Sequence, residues 1–149
     1  VKPNLTIEDW ARLAAFIDGE GSIVIGRQLR FRGKPSQHTG HHLRVVISNT
    51  DPRLMTWLKE RFDGYVHTSK KPHGNRRTLL QWQVSAQSAE DILRGCVNFL
   101  VLKKEQAELA FAFRTTFRKK NYEAVEPAVL EYRESCMQKL KVLREVPAA

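Results

Sequence analysis

The sequence predicts an α+β fold: an αββαββα core whose four strands form one antiparallel sheet with helices on one side, followed by C-terminal helices. Three observations lead there. Two segments, about 22–48 and 65–85, alternate apolar and polar residues and turn in the middle, as a hairpin with one buried face does. The segments around them carry apolar residues at helical spacing behind recognisable caps. The 149 residues suffice for one real core, and no motif recurs downstream, so the chain reads as a single domain over 1–149.

Thr6 is placed to cap the first helix, with Glu8 and Asp9 in its first turn, where the helix dipole favours acid. Trp10, Leu13, Ala14 and Ile17 follow at helical spacing, and Gly19 and Gly21 end the run. The first strand covers Ser22 to Arg32. Ile23, Ile25, Leu29 and Phe31 share one face, interrupted by Arg27, while Ser22, Val24, Gly26, Gln28, Arg30 and Arg32 share the other. Gly33, Pro35 and Ser36 supply turn chemistry before a second strand from His41 to Ser48. There Leu43, Val45 and Ile47 oppose His42, Arg44, Val46 and Ser48.

The second helix starts near Asp51-Pro52, with proline at its first position, carries Leu54, Trp57 and Leu58, and closes at Gly64. A second hairpin runs Tyr65 to Lys71, turns over Lys71 to Asn75, and returns from Arg77 to Ser85. Leu80, Trp82 and Val84 point inward and Leu79, Gln81, Gln83 and Ser85 outward. Ser88 caps a third helix reaching about Phe99, with Glu90 and Asp91 in its first turn; a fourth covers about Lys103 to Phe117; a fifth starts near Pro127 and ends before Pro147.

Charge placement narrows the function. Segments 21–50 and 64–89 hold Arg27, Arg30, Arg32, Lys34, Arg44, Lys70, Lys71, Arg76 and Arg77 and no acidic residue, so they carry the whole net charge of +9. All five histidines fall in the same segments. A solvated sheet face ordinarily mixes Glu with Lys, so acid-free hairpins point to nucleic acid. The outward residues of the hairpins, Ser22, Val24, Gly26, Gln28, Arg30, Arg32, His42, Arg44, Val46, Ser48, His67, Ser69, Lys71, Arg77, Leu79, Gln81 and Gln83, form the expected DNA-binding face. Among them Gln28, Arg30, Arg32, Arg44, Gln81 and Gln83 suit bidentate contacts to adenine and guanine edges in the major groove of double-stranded DNA. Cys96 and Cys136 sit in apolar context and suggest neither a metal cluster nor a disulfide, which favours a reducing intracellular compartment. No run has membrane-spanning length and no signal peptide is visible, so no membrane partner is expected.

The sharpest motif is Leu13-Ala14-Ala15-Phe16-Ile17-Asp18-Gly19-Glu20-Gly21. Asp18 and Glu20 are two apart and would point nearly opposite ways on a continuous helix, so the helix is expected to end between them. Asp18 then bonds backbone amides and holds the turn, while Glu20 projects past the tip, where a carboxylate beside a phosphate suits Mg²⁺. A plain capped helix end is the competing account of these two acids. An EF-hand is excluded, because the twelfth position counted from Asp18 is Leu29. Ala14, Ala15 and Gly19 permit close helix approach, either within the chain's own core or against a second copy about a twofold axis.

This segment resembles the motif of the LAGLIDADG homing endonucleases, with Ala15 for glycine, Phe16 for leucine, Gly19 for alanine and Glu20 for aspartate. The element order resembles the single-motif, homodimeric members. The resemblance implies a site-specific double-strand DNA endonuclease acting at a long, near-palindromic site. It implies Glu20 as catalytic metal ligand with help from the Gly19 carbonyl, and Mg²⁺ as cofactor, with Ca²⁺ or Mn²⁺ as substitutes and no organic cofactor. It further implies Asn49, Arg53 and Lys103 as catalytic partners, and a homodimer interface at Leu13, Ala14, Ile17 and Asp18. Asn49 as a strand-end cap and Lys103 as a helix-surface lysine are the plainer alternatives. Such an enzyme would work in the compartment holding its host DNA, the cytoplasm of a prokaryote or an organelle. An RNA maturase assisting intron splicing, or a DNA-binding regulator, would use the same fold without cutting DNA.

Overall fold

Helix α1 (Ile7–Glu20) begins as its sequence dictates. The Thr6 hydroxyl accepts from the Asp9 N–H at 3.2 Å, the Asp9 carboxylate accepts from the Thr6 N–H at 2.9 Å, and the two close a capping box. In the computed structural model, residues 2–35, 37–70, 73–117 and 125–145 are described. The remaining elements are β1 (Gly21–Arg30), β2 (His38–Asn49), α2 (Pro52–Phe62), β3 (Tyr65–Lys70), β4 (Leu79–Ser85), α3 (Ala86–Cys96), a 3-10 turn (Val97–Phe99), α4 (Lys104–Thr115) and α5 (Pro127–Arg144). Among the described residues the fold is therefore α+β, with the expected element order.

The four strands form one antiparallel sheet in the order β1-β2-β4-β3. Ile23 faces Val45, Ile25 faces Leu43, Val45 faces Val84 and Ile47 faces Trp82, so apolar residues meet across every central rung of one face. Together with Leu13, Ile17, Leu58 and Leu93 they make the core, each 5 % exposed or less. Trp82 lies at its centre, fully buried, with its indole N–H donating to the Asp63 carbonyl at 2.6 Å. A one-residue slip of β2 would send Arg44 into this core and Val45 to solvent, which pins the register. The opposite face carries Ser22, Val24, Gly26, Gln28 and Arg30 from β1, His42, Arg44, Val46 and Ser48 from β2, Gln81 and Gln83 from β4, and Tyr65 and His67 from β3.

Several boundaries differ from expectation. Helix α1 does not break between Asp18 and Glu20 but continues through Glu20, with Gly21 as the extended cap whose N–H donates to the Ile17 carbonyl. Strand β1 stops at Arg30, which leaves Arg32 in the turn, and β2 starts three residues earlier than expected, at His38. Strand β4 starts at Leu79, so Arg77 precedes it. Helix α3 begins at Ala86 directly after β4, with Ser85 rather than Ser88 at the cap position. Glu90 consequently lies beyond the first turn and is buried, bonded to Arg94 at 2.8 Å and Arg114 at 3.1 Å. Helical continuation from the strand end prevails here over the Ser88 signal.

Arg27 interrupts the inner stripe of β1 because it meets helix α5 rather than the core. Its guanidinium pairs with Glu134, which also takes the buried His41 Nε2 at 2.8 Å, and the two partners hold the Glu134 carboxyl down at about 2. Farther along α5, Arg144 Nε donates to the Ile23 carbonyl on edge strand β1 at 3.1 Å. Helix α5 thus fastens the first hairpin at two points.

Candidate active site

The end of α1 places its two acids on different sides. Asp18 turns toward the segment before α4 and accepts the backbone N–H groups of Val101 at 2.7 Å, Leu102 at 3.2 Å and Lys103 at 3.0 Å. Lys103 reciprocates: its Nζ donates to the carbonyls of Ile17 at 2.8 Å and Asp18 at 2.7 Å. A cation at a helix C-terminus satisfies orphan carbonyls and complements the dipole. Burial pulls the Lys103 ammonium below its usual pKa range, with the Asp18 carboxylate opposing that shift. Asp18 thus bonds backbone amides on a continuous helix, whose geometry already turns it away from Glu20.

Glu20 is exposed and meets Asn49 at the end of β2, whose side-chain amide donates to Glu20 Oε2 at 2.7 Å. The Asn49 Oδ1 accepts the Asp51 N–H at 2.7 Å, which orients the amide so that its NH₂ faces Glu20. Asp51 in turn caps α2 through the Arg53 N–H at 2.9 Å and holds the Arg53 guanidinium, with Nε at 3.0 Å from Oδ1 and Nη2 at 2.6 Å from Oδ2. That pairing keeps the Asp51 carboxyl at about 2. Glu20, Asn49 and Arg53 thus lie on one chain of contacts, and Lys103 caps the helix that delivers Glu20. The signal for Asp51 is present in the sequence as an acid directly before the helix-starting Pro52 and two residues before an arginine, where only the helix start is expected.

The donor set suits a hard divalent cation. Glu20 Oε2 takes the Asn49 amide, and the Gly19 carbonyl is among the last four of the helix, which have no intrahelical partner. One carboxylate and one carbonyl per chain match an ion that takes few protein oxygens and completes its shell with water and phosphate. Among the described residues no cluster of three or more His, Cys, Asp or Glu is placed to hold a metal within the chain. Both cysteines are buried, and burial pushes the Cys96 thiol up to about 12, so no reactive thiolate competes for this role.

The open face carries polar and basic side chains without an acid. Arg30 and Gln28 are exposed, and Arg44, His42, Gln81 and Gln83 half-exposed. Burial, then Arg44 and Arg30, push the His42 imidazole below its ordinary range, which favours the neutral form. Gln81 donates to the Ser48 hydroxyl at 3.2 Å. Val46 is 9 % exposed and offers little surface to a ligand, in contrast to its expected place on the contact face. Tyr65, outside the expected contact set, is 62 % exposed and stacks on His67 with centroids 5.2 Å apart. Its alternation with His67 was the signal that places it on this face. Lys71 lies outside the described residues.

The expected pairing face of α1 needs correction. Leu13, Ala14 and Ile17 have zero exposure inside the chain's own core and offer no surface to a second helix, while half-buried Asp18 accepts the amides before α4. The small residues left open are Ala15 and Gly19, four apart on one side of the helix.

No family model matches the sequence, and no curated protein does. Solved structures match the fold. The homing endonuclease I-CvuI, solved with the I-CreI target in the presence of Mg with the DNA not cleaved, superposes with a TM-score of 0.74 at 18 % identity, covering 95 % of this chain and 85 % of that one. The archaeal intron-encoded homing endonuclease I-Vdi141I, complexed with DNA, gives 0.72 at 15 % identity over 95 % and 87 %. The LAGLIDADG homing endonuclease I-SmaMI, bound to cleaved DNA, gives 0.69 at 18 % identity over 97 % of this chain but 48 % of its own. The chain thus has the fold of the LAGLIDADG homing endonucleases, at the size of one unit of that fold.

Proposed function

We propose that the protein is a site-specific double-strand DNA endonuclease that hydrolyses phosphodiester bonds with a divalent metal, two copies of the chain acting together on a near-palindromic site. The observation that carries this reading is the position of Glu20: an exposed carboxylate, held by Asn49, at the border of a sheet face that is basic and acid-free. A surface that only binds phosphates gains nothing from an acid aimed at them, whereas a metal-dependent hydrolase requires one. When bound, Mg²⁺ would activate water and stabilise the leaving oxygen. Glu20 and the Gly19 carbonyl would hold it, Asn49 would fix the carboxylate, and Arg53 would stabilise charge on the scissile phosphate. Lys103 would set the helix tip and add positive charge beside it. The open face would read the duplex, with phosphate contacts supplying much of the affinity. Ala15 and Gly19 are the surface on which the second copy would pack, bringing two Glu20 carboxylates near one axis.

The test is incubation with a library of randomised duplexes, with Mg²⁺ and with EDTA. Sequencing of cut ends should return one near-palindromic motif in Mg²⁺ and none in EDTA, and light scattering should show two chains per bound duplex. Binding without cutting in any divalent metal would overturn the nuclease reading in favour of a regulator. Selective binding of folded intron RNA without DNA cleavage would favour a maturase.

A further inference from the structure

We propose that Asp51 is a positioning residue of this site: it holds Asn49 toward Glu20 and restrains Arg53 until a DNA phosphate takes its place. The inference rests on the nuclease reading above and adds the residue that controls access to Arg53. Asp51 uses two separate parts. Its N–H satisfies Asn49 Oδ1 at 2.7 Å, leaving the amide only donors to offer Glu20. Its carboxylate grips the Arg53 guanidinium at two points, 3.0 and 2.6 Å. The Arg53 side chain is 90 % exposed, so little besides this pair fixes its direction, and the Asp51 carboxylate also feels the Arg77 charge.

A phosphate presents two oxygens to a guanidinium with the same fork geometry as a carboxylate. Arg53 can therefore pass from Asp51 to a phosphate by exchange of like partners. In the free chain its charge is matched locally and adds little to non-specific attraction. On a correctly seated duplex the phosphate displaces the Asp51 carboxylate from Arg53 and leaves two like charges close together, so only a phosphate held in place by the rest of the face competes successfully. Asp51 thereby makes Arg53 selective for position as well as for charge.

Asp51→Ser separates this role from helix capping, because serine keeps both the cap acceptor and the backbone N–H that orients Asn49. In the free protein, the Arg53 Nε–H resonance should shift and its exchange with water accelerate in D51S; an unchanged resonance overturns the restraint. On a pool of short random-sequence duplexes, the slope of log Kobs against log[salt] should steepen by about 0.9 per protomer in D51S, one released counterion each, with an unchanged melting temperature. In the Arg53→Ala background the same D51S change should leave the slope unaltered. A D51S slope equal to wild type, or a steepening that persists without Arg53, overturns the proposal. Failure of the wild-type chain to bind any duplex removes the nuclease reading and this proposal together, whereas the resonance experiment fails or succeeds on the pair alone.

Discussion

The two ends of α1 are held by opposite means. At the N-terminus, Thr6 and Asp9 cap the helix across one turn, and Arg61 of α2 adds its guanidinium to the Asp9 carboxylate. At the C-terminus the helix has no basic residue in its own last turn. Lys103, 86 residues away from Ile17, donates to the Ile17 and Asp18 carbonyls, and Asp18 binds the three amides that lead into α4. The first end is capped by its neighbours in sequence and braced once from α2 by Arg61; the second has the local Gly21 N–H on the Ile17 carbonyl but is otherwise held by a distant segment. The difference teaches where rigidity at a site comes from: a local cap starts a helix, but only tertiary contacts fix where its tip lies relative to the sheet.

That contrast can be broken experimentally. Glu20→Gln removes the outward acid and leaves both caps, so cleavage should fall by about 10³-fold with duplex affinity retained, measured by single-turnover cutting and binding. Asp18→Ala deprives three N–H groups of their acceptor and should cost about 3 kcal/mol in urea unfolding, well above any single change at the other end. Lys103→Met should slow cleavage by about 10- to 100-fold while duplex affinity changes little. Thr6→Ala should cost only about 1 kcal/mol and leave cleavage unchanged, because its cap is remote from the tip.

The smallest effect concerns pH. Arg61 and the Thr6 N–H hold the Asp9 carboxyl at about 2 against an ordinary 3.8. The folded value is depressed, so the stability it contributes is complete above the ordinary value and is lost as pH falls through about 2. Asp9→Asn should flatten the decline in stability between about pH 4 and pH 2, read from unfolding midpoints across that window.

The same contrast explains what was legible in the sequence. Elements governed by short-range rules were readable: the Thr6 cap, proline at the start of α2, and the alternation that puts Val45 inside and Arg44 outside. The motif around Glu20 was readable as a carboxylate at a helix tip. Features set by contacts distant in sequence were not. Nothing near Arg27 announces Glu134, and nothing near Ile17 announces Lys103. The burial of Leu13, Ala14 and Ile17 follows from which side of α1 the sheet covers, which small-residue spacing alone does not determine. Helix α1 has no need to break between Asp18 and Glu20, because two residues of helix already rotate side chains to nearly opposite sides.

Gly21 joins α1 to β1 with no residue between them, and a β-carbon there would stand 2.7 Å from the Ile17 Cα and 2.8 Å from its carbonyl oxygen. Its φ of −98° is open to any residue, so glycine is required by closeness alone. The joint has no slack. Under the proposed function, with bases read along β1 and the cut made beside Glu20, the spacing between the bases read and the bond broken would be a property of one covalent joint. Such a protein would carry its own ruler, graduated in base pairs, and new readout residues on the strands would change what is recognised without changing where the cut falls.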